Sequence, residues 1–203
     1  VSATEQELKA VVADPAAVAA RLEAVGAARA FRGRMTDRRY DRPDGSLFSR
    51  DEVLRLRTFE PRGAGDAGAE LTWKGPTRRR GGYKEREELQ LGVGDAAAAA
   101  EVLGRLGYVV IDAIDRGVEY YRLDDVTLRL EWYPRMDVLI EVEGAPEAIE
   151  RGVAATGLPR SAFCADRLVD FAGRYAERTG RAAAVALAAL EAGERAGWPE
   201  WAR

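Results

Sequence analysis

Ionisable side chains stand at every second position in Glu5-Gln6-Glu7-Leu8-Lys9, and the same spacing of two returns in Arg55-Leu56-Arg57 and Glu141-Val142-Glu143. In an extended chain, alternate side chains project from opposite faces, so each doublet leaves one side of a strand together. Like charges placed in this way repel unless something between them neutralises the repulsion. A bound polyphosphate would answer the arginine pair, and divalent cations would answer the glutamate pairs. Any one such segment also suits an ordinary strand facing water. Doublets of a single sign on strand after strand point instead to one shared ionic surface, which a sheet closed on itself would hold inside.

What the chain lacks bounds the chemistry further. Its 203 residues contain no histidine and one cysteine, Cys164. Histidine triads, imidazole proton transfer, ordinary zinc sites and an internal disulfide are excluded, leaving carboxylates, Lys, Arg, Tyr and Ser/Thr. Cys164 falls in a segment of helical pattern and is read as packed there. The net charge of −3 gives no bias towards nucleic acid. Arg78-Arg79-Arg80 before Gly81-Gly82 is read as a solvated loop or a lid rather than a nucleic-acid patch. There is no long apolar run and no signal-peptide pattern, so a soluble cytoplasmic protein without a membrane partner is expected.

The elements that would position these residues follow from local patterning. Asp14-Pro15 opens an alanine-rich helix that Gly26 ends, and Asp95 opens another that Gly107 ends. The shared offset of Asp14/Asp95, Leu22/Leu103 and Gly26/Gly107 suggests a strand–helix–strands unit used twice, although independent helices with ordinary caps explain the caps equally well. Period-two segments surround the helices: "DEVLRLRTF", "AELTWKG", "YKEREELQL", "DVTLRLEWY" and "VLIEVEG", each with one apolar and one polar face. From Ser161 onwards the pattern turns helical. The expected architecture is α+β, an antiparallel sheet with helices packed outside it. Residues 1–178 form the main domain and residues 179–203 a helical appendage, serving as a cap or as a homodimer contact.

The order of these segments resembles the CYTH superfamily of triphosphate tunnel metalloenzymes, which includes class IV adenylyl cyclases, thiamine triphosphatases and inorganic triphosphatases. The resemblance rests on Glu5-x-Glu7-x-Lys9, "RLEAVGA", the Asp37–Asp41 segment, Arg55-x-Arg57, "LTWKG", Arg86-Glu-Glu88, "LGRLGY" and "EVEG", spanning residues 5 to about 160. It implies a closed eight-stranded antiparallel β-barrel, a tunnel with helices outside. Three positions depart from the family pattern: Gln90 replaces a glutamate, Ile114 a lysine and Glu131 an aspartate.

Within that frame, Arg55 and Arg57 offer bidentate forks to a triphosphate, Lys9, Lys74 and Lys84 act as point charges, and Arg86, Arg116 and Arg129 complete the lining. Glu5, Glu7, Glu88, Glu131, Glu141 and Glu143 offer hard oxygen ligands for Mg²⁺ or Mn²⁺. The resemblance adds Tyr40 with Lys74 as an activating pair, and implies a small-molecule triphosphate as substrate. Hydrolysis of inorganic or nucleoside triphosphate is the expected activity, with adenylyl cyclisation as the alternative and a non-catalytic polyphosphate sensor as a further one. Val53 and Leu54 stand where thiamine triphosphatases carry a stacking tryptophan, which disfavours thiamine.

Overall fold

The computed structural model describes the backbone of residues 2–62, 67–80 and 83–203, with side chains described for these except residues 2–5, 80 and 84. Nine strands alternate with five α-helices among the described residues: β1 (Ser2–Val11), α1 (Pro15–Ala24), β2 (Ala28–Asp41), α2 (Ser46–Ser49), β3 (Val53–Pro61), β4 (Gly68–Lys74), β5 (Arg78–Arg80), β6 (Tyr83–Val93), α3 (Ala96–Arg105), β7 (Val109–Leu123), β8 (Val126–Trp132), β9 (Leu139–Glu143), α4 (Pro146–Thr156) and α5 (Leu168–Thr179). The strand order is β1-β9-β8-β7-β2-β3-β4-β6-β5, every pair is antiparallel, and β1 also pairs with β6. That last pairing closes eight strands into a barrel and leaves β5 outside. Closure removes the sheet edges that an open sheet would expose.

The repeat suggested by the helix caps is visible in three dimensions. Asp14 accepts from the Ala17 amide and Asp95 from the Ala98 amide, each at 3.0 Å. Gly26 and Gly107 end the two helices at φ of +89° and +84°, a region that favours glycine. Each helix then leads into a long strand, and these strands, β2 and β7, pair with one another.

The hydrophobic core lies outside the barrel wall. Leu8 and Ala10 of β1, with Val12 just after it, meet Leu128, Leu130, Ile140 and Val142, under Val18 and Leu22 of α1 and Ile149 and Val153 of α4. A smaller cluster under α3 joins Leu103 to Leu56 and Tyr40. With its apolar face buried under helices, each strand is free to turn its charged face inwards. Where α4 crosses β8 and β9 the approach is close: a Cβ on Gly152 would stand 2.7 Å from Val142 Cγ1 and 2.9 Å from Val126 Cγ2.

Three local expectations are corrected. Arg78–Arg80 is not a loop but the short strand β5, held by β6. Cys164 is not helical; its backbone exchanges two hydrogen bonds with Lys9, at 2.8 and 2.9 Å. The stretch after Gly180 is not a helical appendage: its helical content is two 3₁₀ turns, at Leu187–Ala189 and Glu200–Ala202. Its alanines favour a helix, but its backbone is claimed by the barrel. Asp115 donates its amide to Val185, its carboxylate accepts the Leu187 amide, and Ala184 bridges Arg135. Tertiary partners outweigh propensity here. No helix among the described residues is long and apolar enough to cross a membrane.

Replacing Gly152 with valine over-packs the α4 contact, a class of change that costs about 1–3 kcal/mol. Urea unfolding should show a lower midpoint at an unchanged slope.

Candidate functional site

Alternation along the strands brings most of the expected residues into the barrel interior. Glu7, Lys9, Arg55, Arg57, Arg86, Arg116, Arg129, Glu131 and Glu141 are all buried. Lys74, Glu88 and Glu143 are half-buried. The side chains of Glu5 and Lys84 lie outside the described residues; in backbone register Glu5 stands opposite Arg86, and Glu7 opposite Lys84.

These groups form a continuous ionic chain around the wall. Lys9 Nζ lies 2.8 Å from Glu7 and 2.7 Å from Glu141. Glu141 also receives Arg129, whose Nε donates to Glu131 at 2.6 Å. Glu131, fully buried, accepts from Arg116 at 3.0 Å and from the Tyr133 hydroxyl. Arg116 reaches Asp37, which accepts both arms of Arg57 at 2.7 and 2.9 Å. Arg55 stands further off, 3.9 Å from Asp37 and 3.8 Å from Glu88, and Glu88 meets Lys74 at 3.1 Å. Arg86 donates to the Gly75 carbonyl at 2.6 Å and to the Asp51 carbonyl, which ties down the segments beside β4 and β3.

Burial and pairing oppose one another at Asp37, Glu131, Glu141 and Lys9, and pairing prevails. Burial would raise the Asp37 carboxyl, but Arg57, Arg116 and Arg55 hold it well below the usual carboxylate range. Arg116 and Arg129 likewise overcome burial at Glu131, and Arg129 and Lys9 do so at Glu141. Burial would lower the Lys9 ammonium, but Glu141 and Glu7 raise it. Asp37, Glu131, Glu141 and Lys9 therefore stay ionised at neutral pH.

The Tyr40–Lys74 pair is not brought together. Asp37 faces inwards, so Tyr40, three residues on, faces outwards. Its ring packs with Leu56 and Leu103, and burial lifts its phenol above the ordinary value. Asp37, absent from the expected site residues, is the anchor of the arginines; its legible signal is its place two positions before Arg39 on a strand opposite Arg57. Thr72, which accepts from Arg55 at 3.4 Å, and Tyr133 were also not expected. The three departures from the family pattern fall in different places. Glu131 is the hub of the network, Gln90 is exposed, and Ile114 joins Leu139, Tyr133 and Phe171 of α5 in an apolar cluster at one end of the barrel.

The carboxylates supply the hard oxygen donors that Mg²⁺ or Mn²⁺ prefers. Glu7 and Glu143 are register neighbours, and the Lys9 ammonium already sits as a cation between Glu7 and Glu141. The donor chemistry fits a divalent ion. Among the described residues, though, no three acidic groups are gathered at one point, so a metal would have to displace a basic side chain.

A model of the CYTH domain matches residues 3–156. The chain belongs to the CYTH family. Solved structures share the fold. A Vibrio parahaemolyticus protein described as a candidate adenylate cyclase superposes with a TM-score of 0.70 at 17% identity, covering 82% of this chain and 96% of that one. PH1819 of Pyrococcus horikoshii gives 0.67 at 23% identity, over 87% and 99% of the two chains. HpAC1 of Hippeastrum, described as an adenylyl cyclase candidate with a dominant triphosphatase activity, gives 0.59 at 17% identity over 88% and 96%. No curated protein matches the chain.

Asp37→Asn leaves Arg57 without its charge partner inside the barrel and Arg116 with Glu131 alone, and breaking a buried pair in this way costs about 3–5 kcal/mol. The folded Asp37 value lies below the unfolded one of about 3.9, so its contribution is complete above that pH and fades as the pH falls towards the folded value. Unfolding midpoints measured from neutral to acid pH should fall less steeply for the variant than for the parent.

Proposed function

We propose that this CYTH protein is a divalent-metal-dependent phosphohydrolase that binds a triphosphate, inorganic or nucleosidic, among the charges inside its barrel. The observation that carries this reading is the set of buried guanidiniums, Arg57, Arg116 and Arg129, held in place by carboxylates within a closed wall. Arg116 Nε is buried and has no hydrogen-bond partner among the described residues, a donor still available to an acceptor.

The network suits ligand exchange. A phosphate chain offers each arginine a bidentate acceptor of the kind Asp37 and Glu131 now supply. Arg57 and Arg116, already oriented, would turn from carboxylate to phosphate with little loss of side-chain freedom, while Lys9 and Lys74 add point charges. The displaced carboxylates then need new counter-charges, which is the reason to expect a metal in the loaded state. Glu7, Glu141 and Glu143 would hold a divalent ion, which when bound would supply Lewis-acid charge to offset negative charge developing on the phosphates. Phosphoryl transfer is largely positioning and electrostatics, so a lined interior without histidine is adequate machinery.

The descriptions of the similar proteins name both cyclase and triphosphatase activities, and the HpAC1 description gives triphosphatase as dominant. Incubation with inorganic triphosphate, ATP or thiamine triphosphate plus Mg²⁺ or Mn²⁺ should release orthophosphate from one of the first two. Cyclic AMP with pyrophosphate as the main product would replace hydrolysis with cyclisation, and tight binding without turnover would leave a sensor.

Arg57→Ala should lower kcat/KM by about 100-fold or more, as loss of a donor to developing charge does elsewhere. Arg160→Ala, on an exposed ion pair with Glu150, should leave it unchanged. Glu141→Gln should raise the Mn²⁺ concentration needed for half-maximal activity.

A further inference from the structure

The interior has a polarity that the ionic network alone does not explain. Along β7 the inward positions run Ile114, Arg116, Val118, Tyr120; along β3 they run Arg55, Arg57, Phe59; along β8 and the residue just after it, in the opposite chain direction, Tyr133, Glu131, Arg129. The Ile114 end of the β7 row and the Tyr133 end of the β8 row join the apolar cluster that Phe171 of α5 closes, while the β3 row ends at that side on Arg55, beside Thr72 and Glu88. The other end of β3 and of β7 is a ring.

Those rings meet. Phe31 of β2, Phe59 and Tyr120 stand edge to face, with centroids 5.6 Å apart for Phe31–Phe59, 5.9 Å for Phe31–Tyr120 and 6.4 Å for Phe59–Tyr120. All three are only half-buried. Phe31 leans across Gly33, where a Cβ would meet the Phe31 ring tip at 2.8 Å and the Glu60 carbonyl at 2.2 Å. The trio is joined directly to the phosphate-binding residues proposed above. The Arg57 guanidinium lies 6.0 Å from the Phe59 centroid, the Arg129 guanidinium 5.2 Å from that of Tyr120, and the Tyr120 hydroxyl accepts from Arg129 at 3.1 Å.

We propose that Phe31, Phe59 and Tyr120 form the subsite for the base of a nucleoside triphosphate whose phosphates lie among Arg57, Arg116 and Arg129, with the terminal phosphate pointing towards α5. This rests on the triphosphate reading and narrows it to an organic substrate. Three half-exposed aromatic rings next to anion-binding guanidiniums match a ligand that is a planar π-system at one end and a polyanion at the other. At the opposite end hydrocarbon covers the β7–β9 side while Arg55, Lys74 and Glu88 line the β3, β4 and β6 side, a charged end that suits phosphate and leaves the ring end for the base. The same geometry selects against a cationic heterocycle: the two guanidiniums beside the rings repel a thiazolium and tolerate a neutral purine or pyrimidine.

Calorimetry with a non-hydrolysable ATP analogue, inorganic triphosphate and thiamine triphosphate, each with Mg²⁺, tests this on the whole chain. Phe31→Leu and Phe59→Leu keep an apolar filling, and thermal melts check that they fold; Tyr120→Phe keeps the ring. In the two leucine variants the affinity ratio of ATP analogue to inorganic triphosphate should fall about tenfold, the scale of a lost base–ring stack. In Tyr120→Phe the ratio should hold. An unchanged ratio in the leucine variants overturns the base subsite while leaving the triphosphate reading intact. Selective loss of thiamine triphosphate instead overturns the neutral-base assignment, and a parent protein that binds none of the three overturns both readings.

Discussion

A charge inside a closed barrel must be matched, because taking one ion out of water costs several kcal/mol that only a well-placed partner returns. Asp37, Glu131 and Glu141 each receive cations from other strands or from across the wall, so the interior is satisfied by a chain of pairs running from β1 through β9, β8 and β7 to β2 and β3. The network ties register to chemistry. A slip of one residue in any of these strands would turn its charged row outwards and present its leucines to the carboxylates.

That constraint explains the inside-out arrangement of the fold. A small barrel ordinarily fills its centre with hydrocarbon, and here the hydrocarbon sits on the outer face. The helices α1, α3 and α4 are therefore obligatory coverings rather than decorations: Leu22, Leu103 and Ile149 give the outward Leu8, Leu56 and Val142 somewhere to go. The C-terminal stretch extends the covering. It sets Trp201 edge-on to Trp132 at 5.4 Å and stacks Arg32 over the same Trp201 at 4.8 Å.

The pairs also give the interior two states in principle. With carboxylates as partners, the guanidiniums are held apart and aligned; in the function proposed above, the same alignment would serve phosphates. Pre-organisation of this kind would lower the entropy lost on binding, and the displaced carboxylates would be the proposed holders of a divalent ion. The departure at Ile114 has a physical reading in the same terms. An apolar residue there completes the cluster with Phe171, so the β7–β9 side of one end of the barrel is packed where a lysine would have added charge.

Much of this was legible in period-two patterning, which is local: Arg55 and Arg57 must share a face, as must Glu141 and Glu143, whatever the fold. The two helix caps and their glycine stops are local as well, and they stand as read. Who meets whom was not local. Asp37 meets Arg57 and Arg116 because β2 lies between β3 and β7, the last of these far away in sequence. Tyr40 leaves the interior because odd spacing from Asp37 sets it on the other face, and the residues after Gly180 give up their helical preference because Asp115, on β7 before its pairing with β8 begins, and Arg135 offer their amides and carbonyls better partners. The chain alone decided which side chains travel together; strand order and closure decided their partners, since pairing energy depends on neighbours that only the folded barrel assembles.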